Sequence, residues 1–295
     1  MVIILVTVII PCFNAAIFLQ KTIDSVFSQN NIVCKIIAVD DGSTDNTLDI
    51  LNQYGDKVLI LHHDGYKNKG QAASLNLGLR HAESEYVAFM DADDLWDEKK
   101  IVAQVDALQR NPDCVLCYVN GYVVDAKDHR LYPILPEYFQ ETNILGNILL
   151  DCYIRTPSMV MVRRSLFDQI GNFSEAYKAP DHDMWVRASE AGKFCYVDQH
   201  LVGYRQHAGQ ASVNYARKMW DDEFDVLREA ANRYPYSERI KRKRASVLYF
   251  RIGQCDLKDR KFLYAIYDFM RSFLYDPRRA VTFFYFSVRE RVGTY

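Results

Sequence analysis

The first 120 residues alternate between two apolar periods, and that alternation restricts the chain more than any other feature. Short β-branched runs at Val2–Ile10, Cys34–Val39, Val58–His62 and Tyr86–Met90 read as strands. Between and after them, Ala16–Gln29, Asp45–Tyr54, Gly70–Ala82 and Lys99–Arg110 carry helical spacing. The first of these places Ile17, Ile23, Val26 and Phe27 on one face. Ser43 or Thr44 can cap the second, and Asn111–Pro112 stops the last. Strand and helix in strict alternation predict an α/β fold, a mostly parallel sheet with helices on both faces.

The middle of the chain is less regular. Val115–Val124 predicts a strand or two, Pro133 to Pro136 a loop, and Ser158–Val162, Phe194–Val197 and Leu201–Gln206 further strands. Helices are expected over Asn143–Leu150, Arg164–Ile170 and Asp181–Ala191. From Ala216 onward the pattern is helical with no strand. The expected boundary therefore divides an α/β domain of residues 1–213 from a helical region of residues 214–295.

A formal net charge of -2 gives no reason to expect a nucleic-acid partner. The seven cysteines are odd in number and scattered, which fits a reducing cytoplasm. Cys114 and Cys117 form a lone C-x-x-C on an expected strand and read as core residues. The apolar start lacks a basic leader and is too short to cross a bilayer.

In open parallel sheets, ligands bind beyond the carboxyl ends of the strands. Pro11-Cys12-Phe13-Asn14, Asp40-Asp41-Gly42-Ser43 and Asp91-Ala92-Asp93-Asp94 all follow expected strands. One acidic strand end is an ordinary helix cap, whereas several at one edge point to a polar ligand. Asp91-Ala92-Asp93 puts two carboxylates close together, and a cation relieves their repulsion. Oxygen ligands suit Mg²⁺ or Mn²⁺ shared with substrate phosphates. Asp181 and Asp183 open an expected helix, whose dipole favours an ionised carboxylate. Capping explains such residues equally well. Taken alone, His207 reads as a surface histidine.

Together these segments resemble family 2 glycosyltransferases. The resemblance rests on Val8 to Asn14, Val39 to Asp45, Asn68 with Gly70, Phe89 to Asp94, Asp181 to Trp185, and Tyr204-Arg205 with His207. It covers roughly the first 210 residues, in the family's order. It implies a GT-A fold, a nucleotide-sugar donor, a divalent metal (Mn²⁺ or Mg²⁺) and inversion at the anomeric carbon. Carried to matching positions, Pro11, Cys12, Phe13 and Asn14 line the nucleotide site and Asp41 accepts from the base, usually uracil. Asp91, Ala92 and Asp93 belong to the metal and diphosphate site, with Asp93 the direct ligand. His207 approaches the metal or diphosphate, and Asp181 is the catalytic base. Two positions depart from the family pattern. Pro180 stands where Glu is common, and Leu75 where Arg is common, which shifts the expected diphosphate contacts to Lys67, Lys69 or Arg205. A Q-x-x-R-W motif is missing, which favours single addition over processive synthesis. The resemblance leaves the acceptor open; a surface glycan or lipid-linked precursor is expected from the C-terminal composition described next.

In the last third, Tyr249, Ile252, Gly253, Ala265, Phe269 and Pro277 match one tetratricopeptide-like hairpin. Beyond it, Arg278-Arg279 and Arg289-Glu290-Arg291 flank the aromatic run Phe283–Phe286. That composition fits peripheral contact with the inner face of a membrane and fits burial against the enzyme equally. Two other classes compete with the transferase reading. A sugar-phosphate nucleotidyltransferase needs a Gly-rich basic loop after the first strand, which Pro11–Asn14 does not supply. A glycan-binding scaffold leaves the acidic cluster without purpose.

Overall fold

The computed structural model describes residues 5–30 and 32–281. In chain order the elements are β1 (Leu5–Cys12), α1 (Leu19–Phe27), β2 (Val33–Asp40), α2 (Thr47–Asn52), β3 (Val58–His62), α3 (Gln71–Arg80) and β4 (Tyr86–Phe89). Next come β5 (Leu95–Trp96), α4 (Lys100–Arg110), β6 (Cys114–Val124), β7 (Arg130–Pro133), α5 (Asn147–Leu150), β8 (Val160–Arg163) and α6 (Leu166–Ile170). The described chain ends with α7 (Pro180–Ala191), β9 (Lys193–Arg205), α8 (Ala211–Asn214), α9 (Ala216–Arg233), α10 (Glu238–Lys258) and α11 (Phe262–Tyr275).

These elements form two compact units. One comprises the residues up to Leu145 together with Tyr153–Ala208, the other Gly146–Cys152 and the residues from Gly209. The first unit holds a nine-stranded sheet in the order β3-β2-β1-β4-β8-β6-β9-β5, with β7 paired to β6. Strands β3, β2, β1 and β4 run parallel, β8 runs against β4 and β6, and β9 runs parallel to β6. Covered on both faces, β1 buries Val6, Val8, Ile9 and Ile10 completely, which is why it reads as a continuous apolar run. The chain leaves β1 toward β2 and β3, then returns to β4 on the other side. The resulting switch point lies at the carboxyl end of β1, where a crevice opens in such sheets.

Several expectations shift. Ile17 and Phe27 are exposed, and α1 instead buries Leu19, Thr22, Ile23 and Val26. The two strands expected across 194–206 are one strand, β9. Its pairing with β6 jumps from Val119–Val197 to Asn120–His200, and that irregularity looks like a break in the sequence. Short strands β5 and β7 carry too few residues to show a period. Helix α5 begins only at Asn147. Cys114 and Cys117 are buried in β6, and Cys117 is paired across the ladder with Cys195 of β9.

In the second unit, α10 and α11 form a hairpin against which α9 packs. A side chain on Gly253 would meet the Phe269 ring at 2.8 Å, so glycine lets the two helices approach closely there. The Arg-flanked run Phe283–Phe286 lies outside the described residues.

Candidate active site

The strand ends β1, β2 and β4 are knitted together by the backbone. Asp41 donates its N–H to the Cys12 carbonyl at 2.8 Å, and Met90 donates to Ile9 at 3.0 Å. Asn14 holds a left-handed backbone (φ 50°), which asparagine tolerates. Its side-chain oxygen accepts from the Thr44 N–H at 2.8 Å, and its own N–H donates to Ser43 Oγ at 3.0 Å. Phe13 is left exposed on this turn, whereas the Cys12 thiol is buried, and burial followed by the charge of Asp40 pushes its pKa up. That cysteine is a packing residue. Gly42 has φ 77°, and a Cβ there would lie 2.6 Å from the Tyr66 carbonyl, which explains the glycine in Asp40-Asp41-Gly42-Ser43.

Asp41 is buried. Its two carboxylate oxygens accept the N–H groups of Lys69 at 2.7 Å and Gly70 at 2.8 Å. The residue thus closes the loop before α3 onto the end of β2, and Lys69 stands exposed on that loop. Leu75 is fully buried in α3.

The Asp91–Asp94 turn is built from four directions. The Asp91 N–H donates to Ser158 Oγ at 2.9 Å. Its carboxylate accepts from Gln71 Nε2 at 3.0 Å and from Thr156 Oγ1 at 2.8 Å. Asp94 is fully buried. It accepts the Arg205 N–H at 2.9 Å and lies 2.8 Å from the same Thr156 hydroxyl. A hydroxyl has one proton to give. A proton held on Asp94 lets that acid donate to Thr156 while Thr156 donates to Asp91. The electrostatics agree: burial, then the charges of Asp93 and Asp91, raise the Asp94 carboxyl well above its ordinary range. Asp91 is pushed up to about 7 by burial and by Asp93, against the pull of its hydrogen bond from Thr156; Asp181 adds to the rise and Gln71 opposes it. The field of Asp181 therefore reaches Asp91, although the two are far apart in sequence. Ala92 lies buried between the two acids of the motif.

Asp93 and His207 face each other, with Oδ2 and Nε2 2.9 Å apart and both side chains about a quarter exposed (27% and 22%). Phe18 lies against the His207 ring, the centroids 4.9 Å apart. Arg205 is used differently from the sequence expectation. Its side chain is fully buried: Nε donates to the Asp93 carbonyl at 2.6 Å, and Nη1 donates to the Asp125 carbonyl and to Asp128. The guanidinium also lies over the Phe18 ring at 4.5 Å. A cation held this way braces the acidic turn.

In α7, Pro180 occupies the first helical position, where its missing N–H costs nothing. Asp183 is buried and paired with Arg187, whose Nε and Nη2 lie 2.9 and 2.8 Å from Oδ2. Arg187 in turn donates to the carbonyls of Ile170 and Asn172. Asp183 is thus committed to holding α7 to the segment after α6, and Asp181 is the half-exposed acid of that first turn.

Sequence reasoning missed Gln71, Thr156 and Ser158. Gln71 carries no distinguishing signal. Thr156-Pro157-Ser158 does: Thr156 accepts from the Ser158 N–H, a capping threonine followed by proline at the first helical position.

Among the described residues no group of three or more His, Cys, Asp or Glu side chains converges on one point. Asp93 with His207 is a carboxylate–imidazole pair. It fits a divalent cation that takes its remaining ligands from phosphate oxygens and water, the usual mode for Mg²⁺.

The model of the family described as glycosyl transferase family 2 matches residues 7–171. An uncharacterized glycosyltransferase of Rickettsia prowazekii is 31% identical, over 70% of this chain and 66% of its own length. A putative teichuronic acid biosynthesis glycosyltransferase of Bacillus subtilis is 31% identical over 73% and 86%. An Escherichia coli UDP-Glc:alpha-D-GlcNAc-diphosphoundecaprenol beta-1,3-glucosyltransferase is 30% identical over 73% and 82%. Two further rickettsial relatives are longer, and the matched part spans only 37% of each. Among solved structures, Staphylococcus aureus TarS 1–349 in complex with UDP-GlcNAc superposes with a TM-score of 0.68 at 19% identity, over 93% of this chain and 82% of that one. A Pyrobaculum calidifontis mannosyltransferase in complex with GDP-Man and Mn²⁺ gives 0.62 at 15% identity, over 98% and 81%. The fold is GT-A, and the chain belongs to glycosyltransferase family 2.

Proposed function

We propose that this glycosyltransferase moves a sugar from a nucleoside diphosphate donor, UDP-linked in the first instance, to a hydroxyl of a surface glycan or lipid-linked precursor, with inversion. The observation that supports the reading is that Asp41 and the Asp93–His207 pair follow strands β2 and β4 at one sheet edge, with Asp181 of α7 close enough to raise the Asp91 carboxyl. Both the teichuronic acid relative and the diphosphoundecaprenol-dependent relative support an envelope glycan as the product class.

In this reading the base stacks by the Pro11–Asn14 turn, with exposed Phe13 at hand, and donates to Asp41. Asp41 still has acceptor capacity beyond its two backbone amides. Exposed Lys69 meets the diphosphate. Asp93 and His207 would hold Mn²⁺ or Mg²⁺, which when bound would supply positive charge against the leaving diphosphate. Asp181 takes the acceptor's proton as its oxygen attacks the anomeric carbon and the bond to phosphate breaks. One displacement needs no second nucleophilic carboxylate, and it inverts configuration.

Incubation with a panel of nucleotide sugars and Mn²⁺ tests this. Slow release of nucleoside diphosphate from one donor is the expected result. Formation of nucleoside triphosphate and sugar 1-phosphate from a donor when pyrophosphate is added would establish a nucleotidyltransferase instead, and binding of glycan without turnover of any donor would establish a scaffold.

A further inference from the structure

Helix α11 is apolar on the wrong side. The residues it buries most fully are Ala265, Asp268 and Ser272, a small and polar stripe beside which Phe269 packs on Phe250 of α10. The opposite face carries Phe262, Leu263, Ile266, Tyr267, Met270, Phe273 and Leu274, all exposed, with Leu263 at 83% and Leu274 at 71%. A surface helix ordinarily has the reverse arrangement. The inner stripe is fixed by specific bonds. Ser272 Oγ donates to the Ser246 carbonyl at 2.8 Å and Ser246 Oγ to the Ser272 carbonyl at 2.9 Å, locking α11 to α10. Asp268 is hydrogen-bonded to Asp256 of α10, which pairs with Arg217 of α9. Rotating α11 to bury its apolar face would break this network, so the face stays outward.

We infer that this face docks on an anionic lipid surface. Three observations favour lipid over protein. First, the face mixes long aliphatic residues with tyrosine and phenylalanine, the composition that rests at headgroup level. Second, both ends of the helix carry an excess of cations: Lys258, Arg260 and Lys261 precede it with Asp259, and Arg271, Arg278 and Arg279 lie near or after its end with Asp276, while Lys261 pairs with Asp259 and Arg279 with Asp151. Arg242 of α10 adds to that end, donating to the Leu274 carbonyl at 3.4 Å. Cations at both ends complement anionic headgroups. In a pair of identical copies they oppose cation to cation whichever way the two helices run. Third, α11 is about 21 Å long at 1.5 Å per residue, and no described helix is long and apolar enough to cross a membrane. The helix therefore lies on the surface. The inference rests on α11 alone and does not depend on the donor-site reading.

Flotation of the full chain with phosphatidylcholine vesicles, with and without roughly a third phosphatidylglycerol, tests it. Binding is expected only to the anionic vesicles. A variant carrying Leu263→Gln, Ile266→Gln, Met270→Gln and Leu274→Gln should bind at least about tenfold more weakly, since each change removes apolar burial. These positions are exposed, so circular dichroism and donor hydrolysis should match the parent. Four results would overturn the inference. The parent could ignore both vesicle types. The variant could bind as well as the parent. The parent could form a dimer by sedimentation that the same variant abolishes, without binding vesicles. Vesicle binding that appears only after deletion of residues 282–295 would make that segment the occupant of the face and would equally overturn it.

Discussion

Asp181 and Asp183 lie two residues apart, and their surroundings give them different work. Asp183 is buried against Arg187. Asp183→Ala should therefore cost about 3–5 kcal/mol of stability, the usual penalty for leaving one partner of a buried pair alone. Asp181→Asn should leave the melting temperature unchanged and lower turnover roughly a hundredfold or more, the scale of general-base catalysis. Donor affinity should hardly change. Thermal melts and kinetics on both variants check this; loss of turnover in the Asp183 variant with an unchanged melt would reassign the base. Asp41 combines two tasks, since its oxygens also anchor the amides of Lys69 and Gly70. Asp41→Ala should weaken uridine diphosphate binding by about 1–3 kcal/mol, as for loss of a hydrogen bond to a charged group. Unchanged calorimetric affinity for both uridine and guanosine diphosphates would remove it from base recognition. Asp93→Ala should abolish most donor hydrolysis and its response to Mn²⁺ with the fold intact. Chelator-insensitive turnover in that variant would contradict the assignment. Asp41 and Asp93 were legible in the sequence because each follows an apolar run that ends at the same sheet edge, whereas Asp181, in the first turn of α7, was named by its match to the family pattern. Arg205 was not legible, because its position at the end of β9 says nothing about where its side chain points, which here is back into the turn carrying Asp93.

Among the elements, α11 yields a pH prediction. Burial, then the hydrogen bond and charge of Asp256, raise Asp268 to about 6, with Arg217 and Arg271 acting against the rise. The folded protein thus binds this proton more tightly than the unfolded chain, whose aspartates titrate near the ordinary value of about 3.9. Stability from this group is present below that ordinary value and is lost as pH rises toward 6. Asp268→Asn keeps a donor toward Asp256 and carries no charge. It should raise the melting temperature above pH 6 and make little difference near pH 4; melts of both proteins across that range measure it, and an equal offset at every pH would rule out the shared proton. Element legibility followed the same physics. Strands β1 and β3 are visible because burial on both faces, or unbroken length, makes a local pattern. Helix α1 was misread at Ile17 and Phe27 because its apolar residues outnumber the positions the sheet covers. Strands β5 and β7 depend on pairing with β9 and β6, which is non-local, and leave no signal of their own.

At the scale of the molecule, the two units have different chemistry. The first places its acids at a sheet edge with exposed Lys69 and the Asp93–His207 pair. The second is built of helices in its described residues, and an exposed apolar face lies on α11. The nucleotide should therefore be felt by one unit only. A ligand at about 100 times its dissociation constant stabilises the state it binds by about 2.7 kcal/mol. Amide hydrogen exchange with uridine diphosphate and Mn²⁺ should slow in the turns after β1, β2 and β4, in the loop before α3, and around Arg205–His207. Those are the segments that Asp41, Asp94 and Arg205 tie together through backbone amides. Exchange in α9, α10 and α11 should be unchanged, because no residue of the donor reading lies on them. Vesicles should produce the reverse pattern, slowing exchange in α11 and sparing the β1 and β2 turns. Protection of α10 and α11 by nucleotide alone would mean that the donor site draws on the second unit, and the assignment of Asp41 and Asp93 as sufficient for nucleotide binding would fail.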